Sequence, residues 1–248
     1  MSMVRGRSMS RGSGRGRKRG VSRSSSTLTS RSAKKWGRLA GRGDGPTIRG
    51  YSYPSSYNQF FDPFPRPMRA ILRYSTTIWL DAQAGTVAKN IFRAGSIYDP
   101  DFSGTLGIQP YGHDTYQEIY NHYRVIKSVC KVTNTDVGNH NIMGLALHDD
   151  TSVTGNYDAI RTMKPVKFIP LCDTKDPHSL EMCYNSEAVF PGQRHSTTAL
   201  FGANPAEEQY FIVWSTGDHS TRDPSPLRAV VCIDYYVEFS ELKQLYVS

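Results

Sequence analysis

From residue 70 onward, short runs of β-branched and aromatic residues recur between clusters of glycine, proline, asparagine and aspartate. Such runs, bounded by turn-forming residues, are typical of β-strands. Pro170 has no backbone N–H to donate, which predicts an edge position for its strand. Asp81–Gly85 is predicted to be a hairpin loop. The pattern predicts eight strands: Ala70–Leu80, Thr86–Ala94, Tyr123–Thr135, Asn141–His148, Val166–Leu171, Leu180–Tyr184, Gln209–Thr216 and Leu227–Phe239.

The segment HDTYQEIYNHY departs from this pattern. Its apolar and aromatic positions follow the i, i+3, i+4, i+7 spacing of one helical face, namely Tyr116, Ile119, Tyr120 and Tyr123. Asp114 is the predicted N-cap. A second short helix is predicted at Tyr157–Met163. Both helices would lie in loops between strands.

These elements predict an all-β fold, a single eight-stranded jelly roll over residues 68–248. Eight strands in roughly 180 residues, with two or three long connections, fit a double-sheet jelly roll. An immunoglobulin-like sandwich is usually shorter, and an OB-fold has fewer strands. Strands do not alternate with long helices, which disfavours a doubly wound α/β fold.

Charge divides the chain into two unlike parts. Residues 1–50, called the arm below, carry fourteen Lys and Arg against one acid, Asp44, whereas residues 51–248 carry sixteen against twenty-one. The net charge of +8 is therefore the sum of +13 and −5. Arg, Gly and Ser dominate the arm, and its few apolar residues cannot offset the conformational entropy of folding, so we expect it to be disordered.

The arm is predicted to hold nucleic acid by its phosphates without reading sequence. A flexible coil of this length reaches roughly 40 Å, and the planar guanidinium of Arg donates two parallel hydrogen bonds to a phosphate. The predicted contact residues are Arg5, Arg7, Arg11, Arg15, Arg17, Lys18, Arg19, Arg23, Arg31, Lys34, Lys35, Arg38 and Arg42.

Some features of residues 1–67 have two interpretations. The clusters Arg15–Lys18–Arg19 and Lys34–Lys35 either act as nuclear-import signals or only bind phosphate. Trp36 either stacks on a base or anchors the arm to the domain, and the anchor is preferred. Residues 51–67, rich in Pro and aromatic residues, form a transition segment that is expected to pack beneath the domain or against a neighbour.

The sequence carries no signature of an enzyme. It lacks the P-loop, HExxH and GxSxG motifs, so we expect no catalytic residues, no cofactor and no metal. His148, Asp149 and Asp150 are expected to form a solvated turn. A Ca²⁺ site that uses Asp149, Asp150 or the pair Asp99 and Asp101 is kept as an alternative, because hard cations bind clustered carboxylates.

Neither membrane insertion nor disulfide cross-linking is expected. No apolar stretch approaches the ~18 residues of a transmembrane helix, and the basic start of the chain lacks the apolar region of a secretory signal. The four cysteines, which have no CxxC spacing, are expected to be reduced and mostly buried thiols: Cys130, Cys172, Cys183 and Cys232. A group of tyrosines could form a base-stacking platform, although core or interface packing is preferred: Tyr111, Tyr116, Tyr120 and Tyr123.

Several stretches together resemble the capsid proteins of small circular Rep-encoding single-stranded DNA viruses, the circovirus-like group. The most specific is LGIQPYGHDTYQEIYNHYRVIKSVCKV, residues 106–132, in which Gln109–Gly112, Asp114 and spaced tyrosines run into a strand. The ending Asp234–Phe239 resembles the last strand of that family. The arm has less Arg and more Ser than circovirus arms proper, so coats of single-stranded RNA viruses remain open.

The resemblance implies a structural protein rather than an enzyme. It implies a jelly roll that self-assembles into a sixty-subunit icosahedral shell and packages single-stranded DNA, in the virion and, during assembly, in the host nucleus. A host nuclear-import receptor is a further expected partner. Two rival classes are kept: a cellular nucleic-acid-binding protein with an Arg/Gly-rich tail, and a cupin-type enzyme, against which the small number of His in the predicted strands counts.

Overall fold

The computed structural model describes residues 64–65, 67–104, 107–135, 140–152, 155–156, 158–171 and 177–244. These residues belong to one compact unit, Pro63–Ser248. The strands are β1 Met68–Leu80, β2 Val87–Arg93, β3 Tyr120–Asn134, β4 Asn141–His148, β5 Val166–Leu171, β6 Ser179–Asn185, β7 Thr198–Leu200, β8 Tyr210–Gly217 and β9 Leu227–Leu242. The helices are α1 His113–Ile119, a 3₁₀ helix at Ala159–Thr162, and α2 Ser186–Val189.

The strands form two antiparallel sheets. Sheet I has the order β1–β9–β3–β6, with the short β7 also paired to β3, and sheet II has the order β2–β8–β4–β5. Each sheet combines strands from both ends of the chain. Most consecutive strands lie in opposite sheets, as in the jelly roll. The predicted all-β jelly roll is therefore confirmed, and all eight predicted strands are present.

The connections differ from the sequence prediction in two places. Asp81–Gly85 is not a hairpin loop, because β1 pairs with β9 and β2 pairs with β8 in the other sheet. β7 was not predicted; its three residues pair with β3 beyond the point where β6 ends. The predicted edge position of the strand containing Pro170 is confirmed, since β5 is the last strand of sheet II.

The predicted tyrosine-bearing helix is only partly correct. Helix α1 ends at Ile119, and Tyr120 has extended backbone angles and begins β3. Pairing of Tyr120 with Leu242 of β9 overrides the helical spacing. Asp114 is not the N-cap; Gly112 occupies that position, with φ of 89°, a backbone conformation that glycine adopts without steric cost. Of the predicted Tyr157–Met163 helix, Ala159–Thr162 forms the 3₁₀ helix, and Tyr157 lies outside the described residues.

The core lies between the two sheets and is rich in aromatic residues. Three rings pack against Phe239, with ring centroids 4.3 Å away for Tyr116 and 5.7 Å for both Tyr120 and Phe201. Tyr123 is fully buried and donates a hydrogen bond to the Ala203 carbonyl oxygen at 2.7 Å. Burial raises the pKa of Tyr123 to about 12. The preferred core role is confirmed for Tyr116, Tyr120 and Tyr123, but it is wrong for Tyr111, which is 92% exposed.

The described cysteines are free thiols in three different environments. Cys130 is buried in the core, Cys232 is half-buried and Cys183 is exposed. Burial raises the pKa of the Cys130 thiol. The expectation of mostly buried thiols is wrong for Cys183, because its side chain points outward from β6, at an edge of sheet I. Cys172 lies outside the described residues.

A second apolar cluster covers the outer face of sheet II. The ring of Trp214 lies over Gly144 on the neighbouring strand, so that a Cβ added at Gly144 would lie 2.0 Å from a ring carbon. Ile160 of the 3₁₀ helix is fully buried against the same cluster. The 3₁₀ helix of the β4–β5 connection therefore covers part of this face, while Phe168 and Lys89 stay exposed on it.

Gly144→Ala is expected to lower the free energy of unfolding by about 1–3 kcal/mol, because the methyl group must displace the Trp214 ring from a packed cluster. Chemical denaturation of the full chain measures this change. Gly155→Ala is the matched control, since a Cβ there meets no atom within 4 Å. Equal stability of the two variants would contradict the packing described here.

Candidate nucleic-acid interface

The thirteen arm residues predicted to contact nucleic acid, from Arg5 to Arg42, lie outside the described residues, and so does Trp36. Their role therefore stays a prediction. The structure instead adds a surface that the sequence prediction did not include. It is the outer face of sheet I, which carries Arg69, Ile71, Arg73, Trp79, Lys127, Lys131, Arg228, Asp234, Tyr236 and Glu238.

Strand alternation explains how this face arises. In β1, inward-facing Leu72 and Tyr74 enter the core, while Arg69, Ile71 and Arg73 point to the other side. Successive side chains of a strand alternate between the two faces of the sheet. The basic and apolar residues of β1 therefore line up beside outward-facing residues of β9.

Glu238 organises the cationic end of this face. Its carboxylate, only 4% exposed, accepts hydrogen bonds from Arg69 Nη2 at 2.8 Å and Nε at 3.0 Å. Arg194 binds the second carboxylate oxygen. Both arginine side chains are mostly exposed, so one buried carboxylate holds two guanidinium groups at the surface.

A second acid–base pair lies further along the same strands. Arg73 donates to both oxygens of Asp234, from Nε at 2.6 Å and from Nη2 at 2.8 Å. The hydrogen bonds from Arg73 lower the pKa of Asp234 below its usual value. This bidentate geometry fixes the Arg73 side chain along the sheet surface.

A groove of about 320 Å³ lies beside these pairs. Its walls are formed by Arg69, Ala70, Ile71, Ile126, Lys127, Tyr236 and Val237. The register between β3 and β9 shifts between Val125 and Lys127. The shift leaves Ile126 as an extra residue in β3, and such bulges re-aim side chains on a sheet surface.

Two cation–aromatic pairs lie on this face. Lys127 Nζ is 5.4 Å from the centre of the Tyr236 ring, and Arg228 Cζ is 4.3 Å from the centre of the Trp79 ring. An aromatic ring beside a cation can stack on a base while the cation binds its phosphate. The two pairs lie near opposite ends of the β1–β9 ladder.

The acidic residues considered as metal ligands have other contacts. Asp99 pairs with Arg93 at 2.9 Å, and Asp101 accepts a hydrogen bond from Asn90. Asp150 caps a turn by accepting from the Ser152 backbone N–H, which lowers the pKa of its carboxyl. Among the residues that the structure describes, no group of three or more His, Cys, Asp or Glu side chains could hold a metal ion. The same part of the chain has no helix that is long and apolar enough to span a membrane.

Comparison with known proteins finds similarity at the level of solved structures. No family model and no curated protein matches the chain. The decameric BFDV capsid protein is 13% identical, with 71% of this chain and 100% of that chain covered and a TM-score of 0.44. The 60-mer of the same protein is 12% identical, with coverage of 74% and 98% and a TM-score of 0.43.

A plant virus protein is also similar. The structure of Desmodium yellow mottle tymovirus is 11% identical, with 78% of this chain and 99% of that chain covered and a TM-score of 0.40. BFDV is a circovirus. At these identities the fold assignment rests on the strand order given above.

The two arginines on Glu238 predict a non-additive effect on stability. Arg69→Gln or Arg194→Gln alone leaves one cation on the carboxylate, so each should cost about 1 kcal/mol or less. The double variant leaves a buried charge without these partners and should cost about 3 kcal/mol or more. Denaturant unfolding measures both.

Adding Glu238→Gln to the double arginine variant is the control. It removes the buried charge and should recover part of the lost stability. Simple additivity of the two arginine changes would contradict the arrangement around Glu238.

Proposed function

We propose that this chain is the capsid protein of a small virus with a single-stranded DNA genome. The division of charge carries this proposal: an arm of +13 precedes a jelly roll whose remaining sequence is −5. A polycation binds any nucleic acid through its phosphates and needs no sequence recognition. A protein that packages a whole genome requires this kind of binding.

The two faces of the sandwich support the proposal. The outer face of sheet II carries a buried apolar cluster around Trp214 and Ile160, whereas the outer face of sheet I presents several arginines and lysines with two aromatic rings. A subunit with one mainly apolar outer face and one cationic outer face is suited to a shell with an outside and a genome-facing inside.

Three apolar side chains are well exposed and could contact neighbouring subunits: Tyr111 is 92% exposed, and Ile108 and Leu200 are each more than half exposed. The proposal includes a shell of sixty subunits, which is part of the virion. It also includes a role of the basic clusters of the arm in nuclear import.

Assembly is the first test. Sixty copies of a 27.8 kDa chain should form closed particles whose protein mass is roughly 1.7 MDa, because one repeated set of contacts generates a closed symmetric shell. Electron microscopy and native mass spectrometry of the purified full chain measure this. Oligomers smaller than about ten subunits under assembly conditions would favour a cellular nucleic-acid-binding protein.

The same particles also test the type and the length of the packaged nucleic acid. Sixty arms carry roughly 780 positive charges, which corresponds to a genome of about 1–2.5 kilobases when counterions balance the remainder. Nucleic acid extracted from particles should be digested by DNase and resist RNase. The opposite result would favour a coat protein of a single-stranded RNA virus.

The salt dependence of binding is the second test. The logarithm of the affinity of a peptide comprising residues 1–50 for single strands should fall with the logarithm of salt concentration, by about 0.7 per phosphate neutralised. Fluorescence anisotropy on unrelated oligonucleotides measures the slope. A strong preference for one sequence at high salt would contradict phosphate-based binding.

A further inference from the structure

The groove on the outer face of sheet I has the size and lining of a site for one nucleotide. Its volume of about 320 Å³ lies at the lower end of the range for small-molecule pockets. Ile71 and Ile126 make part of its surface apolar, and the Tyr236 ring is 37% exposed. An exposed ring next to aliphatic side chains offers a flat surface to a planar partner.

The rim of the groove is cationic. Lys127 contributes an ammonium group above the Tyr236 ring. Arg69 uses Nε and Nη2 on Glu238, and among the described residues nothing accepts a hydrogen bond from its Nη1 group. The buried carboxylate thus fixes the orientation of Arg69 without using all of its donors.

The rim and the apolar surface together specify the class of ligand. An anionic group fits the Lys127 and Arg69 side chains by charge, and an aromatic ring fits Tyr236 by stacking. A nucleotide combines a phosphate with a base. A purely apolar peptide would leave the cations without a partner, and an isolated anion would leave the ring uncovered.

We propose that this groove binds one nucleotide of the single strand that the arm holds. The base stacks on Tyr236 beside Ile71 as the Lys127 ammonium group moves off the ring, and the phosphate then lies between Lys127 and Arg69. This inference rests on the proposed nucleic-acid-packaging function, but it assigns a position in the folded domain, where stacking adds to the phosphate contacts of the arm.

The test uses the full chain and two probes, an oligothymidylate and an abasic strand of the same length. Anisotropy titrations over a range of salt concentrations give an affinity and a salt slope for each probe. The wild-type protein should prefer the strand with bases by about 5- to 100-fold, the range expected for stacking of one base. Tyr236→Leu should abolish this preference and leave the salt slope unchanged. Lys127→Gln should reduce the slope by about 0.7.

Matched controls lie on sheet II. Phe168→Leu removes another exposed aromatic ring, and Lys89→Gln removes another exposed lysine. Both variants should retain the wild-type preference and slope. A preference for bases that persists in Tyr236→Leu would overturn the proposal and place stacking elsewhere, for example at Trp36.

Photo-crosslinking uses the wild-type protein, so its result does not depend on whether the variants fold. A strand with 5-iodouracil, irradiated with the wild-type protein, should crosslink to the peptide that contains Tyr236. Crosslinks confined to the arm would overturn the groove assignment. A steep salt dependence without a preference for bases would reject the nucleotide site in the groove and leave the proposed role of the arm intact. Failure of both probes to bind would reject the proposed function itself.

Discussion

The structure depends on hydrogen bonding along both edges of one strand, β9. β1 pairs with it from Met68–Phe239 to Leu80–Leu227, and β3 pairs with its other edge over nearly the same length. The last strand in sequence order, β9, is therefore an inner strand of sheet I. Because these pairings join residues far apart in sequence, sheet I cannot close until the end of the chain is present.

The same strand connects the core to the surface. Tyr235, Val237 and Phe239 point into the core, whereas the residues between them, Tyr236 and Glu238, face the other way. Phe239 holds the aromatic cluster together, and Tyr236 lines the groove. A change in the register of β9 by one residue would exchange these two sets of side chains. The register that packs the core therefore also builds the candidate interface.

Charge contributes in two different ways in this protein. In the arm, many arginines follow one another without paired acids, so their proposed role depends on number. On sheet I, Glu238 and Asp234 hold arginine side chains in defined positions. A side chain that is already held loses less conformational entropy when it binds a ligand. In the proposed binding of nucleic acid, sheet I would therefore hold a few arginines in fixed positions, and the arm would add a large positive charge.

The sequence by itself determined the class of fold and the charged arm, because strand periodicity and composition are local properties. All eight predicted strands are present, and several of their bounds agree within two residues. The tertiary structure alone decided where Tyr120 and Tyr123 belong, because pairing with β9 outweighs a helical spacing. It alone brought Arg69, Lys127 and Tyr236 together, three residues that are each more than fifty positions from the next along the chain. No local pattern records which strands become neighbours, so a site shared by three strands becomes visible only when long-range pairing fixes their order and register.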